Sequence, residues 1–178
     1  MAAIIFSLFG LLSYGSSYFF RKKANYLMFQ GLGGVFLAVS YLFDGNFFAM
    51  ISLFISIARI FCYYIYEYKN KFVPVLVVVL FCMANVANYV VVNICIKHTA
   101  SLVDIIMVVS FVLYNILFSL RNLQVIRYSM TVPLALSITY NILIEAPIFT
   151  VLSYTMELVI TVFTLIYYWH VNKIKINQ

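Results

Sequence analysis

Two ionisable side chains, Arg59 and Glu157, stand alone inside long apolar stretches. A charge in such surroundings is costly unless a partner or water compensates it. Three arrangements answer that cost. The two charges can pair in one state and be bridged by a solute or water in another. They can form a permanent ion pair that locks two parts of the chain together. Or Arg59, two helical turns from Glu67, can run its long stem to a membrane edge. Neutral polar groups lie near both. Ser56 precedes Arg59 by one turn, Thr161 and Thr164 follow Glu157, and Gln30, Asn115 and Asn141 punctuate other apolar runs. Amides both donate and accept, which suits an uncharged polar solute and equally suits hydrogen bonds between helices. Ser56, Arg59, Asn115, Asn141, Glu157 and Thr161 are thus the candidates for lining a solute path.

Other chemistries lack their residues. No HExxH, GxSxG, P-loop or GxGxxG motif occurs. The five acidic residues are too dispersed to form an acid/base dyad, so no catalytic residue is expected. Cys62, Cys82 and Cys95 make no CxxC or Cys/His pattern, so no metal, cofactor or disulfide framework is expected. His98 and His170 sit at the ends of apolar runs, as solvated rather than metal-binding residues.

The elements that must position these groups follow from composition. Of 178 residues, 66% are apolar and 9% charged, and the mean hydropathy is +1.07. A soluble fold of this size could not hide so much apolar surface from water. Charged residues divide the chain into runs near the 20 or so residues that cross a bilayer as a helix. The predicted spans are 2–20, 24–43, 47–66, 72–96, 102–120, 125–144 and 148–169. Strands of a membrane barrel would alternate apolar and polar residues over about half that length. The expected fold is all-α: a polytopic membrane protein of seven transmembrane helices.

Lys and Arg give the expected orientation. With the N-terminus outside and the C-terminus cytoplasmic, Arg21, Lys22, Lys23, Lys69, Lys71, Arg121, Arg127, Lys173 and Lys175 fall inside and Lys97 alone outside. The net charge of +6 is then a topology label and not a nucleic-acid footprint. No basic residue precedes the first apolar run, so that run is expected to be a retained span rather than a signal peptide. Tyr63, Tyr64, Tyr66, Tyr68, Tyr167, Tyr168 and Trp169 are expected mostly in the interfacial belt.

A weak repeat is present. Shifting the chain by 100 residues places Tyr14 on Tyr114, Arg21 on Arg121 and Gly33 on Pro133. One further inserted residue aligns Asp44 with Glu145, Ser52 with Ser153 and Ser56 with Glu157. The expected organisation is a three-helix repeat (1–71), a linker helix (72–98) and a second three-helix repeat (99–178). The odd fourth helix returns the chain across the membrane, so the two triple-helix bundles are parallel. Asn85 and Asn88 on this peripheral helix are expected to hold it to its neighbours. Gly33 and Pro133, at matching positions, are hinge candidates; close packing at Gly10, Ser13 and Ser17 is the plainer use of small residues.

Several features together resemble one family. Gly10 and Ser13 lie in a first span, followed by the Arg21-Lys22-Lys23 loop and the Gly31-x-Gly33-Gly34 second span. Arg59 follows Ser56 by three, Tyr140-Asn141 ends the sixth span, and Glu157 sits in the seventh. This pattern, over essentially the whole chain, resembles the YgjV-like bacterial inner-membrane proteins, a group similar to SWEET and PnuC transporters. The chain departs from the latter groups: it has no Pro-Gln pair, one mid-span proline and one Trp. The family's acidic position falls on Ser153 or Glu157. The resemblance implies a cell (inner) membrane location and implies no particular substrate. The expected function is facilitated or secondary transport of a small polar solute by alternating access. The alternative is a membrane scaffold, assembly factor or sensor. The lipid bilayer is the expected partner, with a small polar solute and a homo-oligomer both open.

Overall fold

The computed structural model describes residues 1–98 and 101–176, with side chains described to residue 166. Its elements are α1 (Ala2–Ser17), α2 (Lys23–Phe43), α3 (Phe47–Tyr68), α4 (Val75–Tyr89) running into a π-helical segment (Val90–Ile96), α5 (Leu102–Ser119), α6 (Leu123–Ser129), α7 (Thr131–Leu143) and α8 (Ile148–Ile176). Among the described residues there is no strand. Five helical stretches are long and apolar enough to cross a membrane: Lys23–Phe43, Phe47–Tyr68, Val75–Ile96, Leu102–Ser119 and Ile148–Ile166. Ala2–Ser17 and Thr131–Leu143 are apolar but shorter.

Local chemistry sets the ends. Asn46 caps α3 by accepting the Ala49 N–H at 3.1 Å, and Ser101 caps α5 by accepting that of Asp104 at 3.2 Å. Pro74 precedes α4, where its missing N–H costs nothing. The sixth apolar run differs from the single span expected over 125–144. It is two helices, broken at Met130. The cause is Pro133, which has no N–H for the carbonyl four residues earlier and whose ring crowds it. Gly33, its counterpart in the repeat, leaves α2 continuous. A Cβ there would lie 3.0 Å from the Tyr14 ring, so this glycine admits a close approach of α1 to α2.

The repeat is sharper in the backbone than in residue identity. The starts of α2 and α6, and the ends of α2 and α7, differ by 100. At the following turns, Gly45 (φ 73°) and Glu145 (φ 53°) are both left-handed. Asn46 donates its N–H to the Tyr41 carbonyl, and Ala146 to that of Asn141, both at 3.0 Å. The register of 100 therefore holds through this turn. The inserted residue comes after it, at Pro147, rather than before Glu145 as the acidic residues alone implied. Packing repeats too: Gly10 lies against Gly33 and Leu37, while the Ser110 hydroxyl donates to the Pro133 carbonyl and meets the Ser137 hydroxyl, each at 2.8 Å.

The helices close a ring. Each of α1, α2, α3, α5, α7 and α8 packs on the next, and α8 returns to α1; α4 leans on α3 and α5 from outside. Only 17% of the apolar window of the fourth apolar run is buried, as a peripheral helix requires. Asn88 fastens it, donating to the Phe48 carbonyl at 3.2 Å and the Ser52 hydroxyl at 2.8 Å.

Polarity runs inside out. Arg59, Glu157, Gln30, Asn115 and Asn141 are buried, while Phe54, Phe61, Leu76 and Phe163 are at least half exposed. Water would not tolerate that apolar exterior, but hydrocarbon is indifferent to it. Two cytoplasm-assigned cations are buried as well. Lys23 pairs with Glu67 at 3.1 Å. Arg127 donates to the Tyr18 and Phe20 carbonyls beyond the end of α1, where a cation is favoured. Tyr63 departs from the expected belt: it is buried and donates to the Asn115 carbonyl at 3.2 Å. The side chains of Tyr167, Tyr168, Trp169, His170, Lys173 and Lys175 lie outside the described residues.

The Gly33 contact gives a direct expectation. Gly33→Ala forces the Tyr14 ring against a rigid neighbour and destabilises the protein by about 1–3 kcal/mol. The unfolding midpoint in detergent falls by about 3–10 °C. A midpoint unchanged within a degree or so would refute this packing.

Candidate functional site

At the centre of the ring is a cavity with about 30 Å³ open to the centre of a water molecule. That is room for a water or two. Each half contributes to its wall: Tyr14, Gln30, Ser56 and Arg59 from α1–α3, and Tyr114, Tyr154 and Glu157 from α5 and α8.

The two charged residues face this space without meeting. Arg59 and Glu157 are each 2% exposed. Among the described residues, the one ion pair within 4.0 Å is Lys23 with Glu67. Arg59 instead donates from Nη1 to the Asn115 Oδ1 at 2.7 Å and lies over the Phe118 ring at 4.9 Å. Its Nε is buried with no hydrogen-bond partner, as is the Ser56 hydroxyl. Glu157 accepts from Gln30 Nε2 at 2.5 Å. The same nitrogen donates to the Ser17 hydroxyl at 3.1 Å, so α1 and α2 together hold the carboxylate. Two ionisable side chains thus share a small space while neutral groups hold each in place.

Both ends of the cavity are closed by contacts between the halves. Toward the Asp44 and Glu145 turns, the Tyr41 hydroxyl donates to the Asn141 Oδ1, and the Asn46 amide donates to the Tyr140 hydroxyl at 3.1 Å. Positions 41 and 141 are equivalent under the shift of 100, so this bond joins a residue to its own counterpart. Toward Arg21 and Arg121, the Tyr18 and Thr161 hydroxyls meet at 3.2 Å. Arg127 lies over the rings of Tyr18 and Tyr26, both at 5.5 Å.

Of the residues singled out from sequence, Gln30, Ser56, Arg59 and Glu157 stand on the cavity wall. Asn115 stands behind Arg59, and Asn141 and Thr161 belong to the two closures. Pro133 accepts from Ser110 at the helix break, and Gly33 packs under Tyr14. Ser153 bonds to the Phe149 carbonyl of its own helix at 2.7 Å. The wall tyrosines Tyr14, Tyr114 and Tyr154 escape a polarity scan, because tyrosine reads as an apolar membrane residue. The repeat does signal them: Tyr14 falls on Tyr114, and Tyr154 falls on Leu53, which also lines the cavity. No family model, curated protein or solved structure matches the chain.

Asn115 and Asn85 separate two kinds of buried amide. Asn115→Leu strips the acceptor from a buried guanidinium and costs about 1.5–3 kcal/mol. Asn85 bonds only the Phe81 carbonyl of its own helix, so Asn85→Leu stays within about 0.5 kcal/mol of the parent. Reversible unfolding of both variants in mixed micelles checks the contrast.

Proposed function

We propose that the chain is a seven-span membrane protein that passes a small polar solute by alternating access, without ATP. The observation that carries this reading is the unpaired Arg59 and Glu157 around one water-sized cavity. A scaffold gains nothing from two buried charges held apart, because removing both for well-packed apolar groups is commonly neutral or stabilising. A solute site needs unspent hydrogen-bonding capacity, which Arg59, Ser56 and Glu157 retain.

In this reading the described state is occluded. Opening the Tyr41–Asn141 contact admits solute from outside, and opening the Tyr18–Thr161 contact releases it to the cytoplasm. The break at Met130 and Pro133 lets α7 move separately from α6, while Gly33 lets α1 slide on α2. The six-helix ring and its repeat fit two halves that rock about the central site. The resemblance to the YgjV-like inner-membrane proteins is in keeping with the same reading, and the lysines and arginines favour an outside N-terminus.

Thiol labelling tests closure and orientation together. The starting protein has Cys62, Cys82 and Cys95 replaced and carries Ser56→Cys on the cavity wall. One hydrogen bond of about 0.5–1.5 kcal/mol changes an open–closed equilibrium about 2–10-fold. Tyr41→Phe therefore raises labelling of position 56 from the outside by that factor, and Tyr18→Phe raises it from the cytoplasmic side. Glu145→Cys labels from outside in intact cells, and Lys71→Cys only after permeabilisation. Equal labelling of position 56 in both gate variants, or reversed sidedness at 71 and 145, contradicts the proposal.

A further inference from the structure

The central cavity also discriminates among solutes, an inference that rests on the transport reading above. We propose that the solute is a small zwitterion: one carboxylate and one ammonium group on a skeleton about the size of glycine. The geometry asks for both charges at once. Arg59 has five N–H donors and uses one, on Asn115. Its Nε is buried without a partner beside an equally unpartnered Ser56 hydroxyl. That end of the cavity lacks an acceptor-rich group, and a carboxylate supplies it bidentately. Glu157 takes one hydrogen bond, from Gln30, and the other lone pairs of its carboxylate remain for a donor. An ammonium group supplies three.

The competing occupants each leave one side of the cavity unanswered. A neutral solute leaves the buried Arg59 guanidinium uncompensated. A simple anion answers Arg59 and brings no donor to Glu157; a simple cation brings a donor to Glu157 and nothing to Arg59. A zwitterion answers both and adds no net charge. Tyr14, Tyr114 and Tyr154 line the same space. Size sets the other limit. About 30 Å³ is far below the roughly 300–1,000 Å³ of pockets that hold drug-sized molecules. In this closed state the space holds a water or two, so even glycine requires the walls to part slightly, and a hexose, a nucleoside or an amino acid with a long side chain requires far more.

The test uses the full chain, purified and reconstituted in vesicles, with labelled glycine, acetate, methylammonium and urea as probes at equal concentration. Glycine is expected to enter faster than the other three, and to raise the unfolding midpoint of the detergent-solubilised protein by about 3–5 °C when saturating. Glu157→Gln keeps an acceptor for Gln30 and removes the charge. It is expected to lower glycine uptake at least about thirtyfold and to raise that of acetate. If this variant fails to fold, the wild-type probe ranking and midpoint shift decide alone. Entry of urea, acetate or methylammonium ahead of glycine overturns the zwitterion and leaves transport standing. Glycine uptake unchanged in a folded Glu157→Gln protein does the same. Entry of no probe, with no midpoint shift, overturns both.

Discussion

A guanidinium and a carboxylate held apart in a low-dielectric interior constitute the constraint on which the rest of this structure turns. Each is held by neutral groups on other helices: Asn115 and Phe118 for Arg59, Gln30 for Glu157. Those holders come from α5 and α2, the helices on either side of α3 in the ring. Contacts between the halves flank the centre toward both ends. Tyr41 with Asn141 and Tyr18 with Thr161 provide the seals.

The repeat explains how so small a chain builds this centre, and where it departs from symmetry. The starts of α1 and α5 and of α2 and α6, the ends of α2 and α7, and the turn geometry follow a shift of 100 through Glu145, and the added residue at Pro147 starts α8 one place later. Under the later register Ser56 corresponds to Glu157, and Arg59 to an isoleucine, Ile160. Each half thus contributes one charge at a place where the other half is neutral.

Much of this was legible in the residues, for reasons that differ from place to place. Helical character came from apolar run length, and the turns from Asp44-Gly45-Asn46 and Glu145-Ala146-Pro147. Arg59 and Glu157 stood out because charge in an apolar run has few explanations. The break at Met130 was concealed because Pro133 gave a kink but not its position. Lys23 and Arg127 read only as cations on the cytoplasmic side, since nothing local announces that a basic residue folds back to an ion pair or a helix end. Asn115, Asn141 and Thr161 were recognisable as polar groups in spans. Whether each faced the cavity or stood behind it depended on helix rotation, which depends on contacts made across the ring.

The most direct test is an experimental density map of the lipid-embedded protein at a resolution that shows ordered water. The account predicts Arg59 and Glu157 on the inner face of a closed ring, more than 4 Å apart, with density for water or a small solute between them. A direct ion pair in a dry centre, or either side chain turned to lipid, would contradict it.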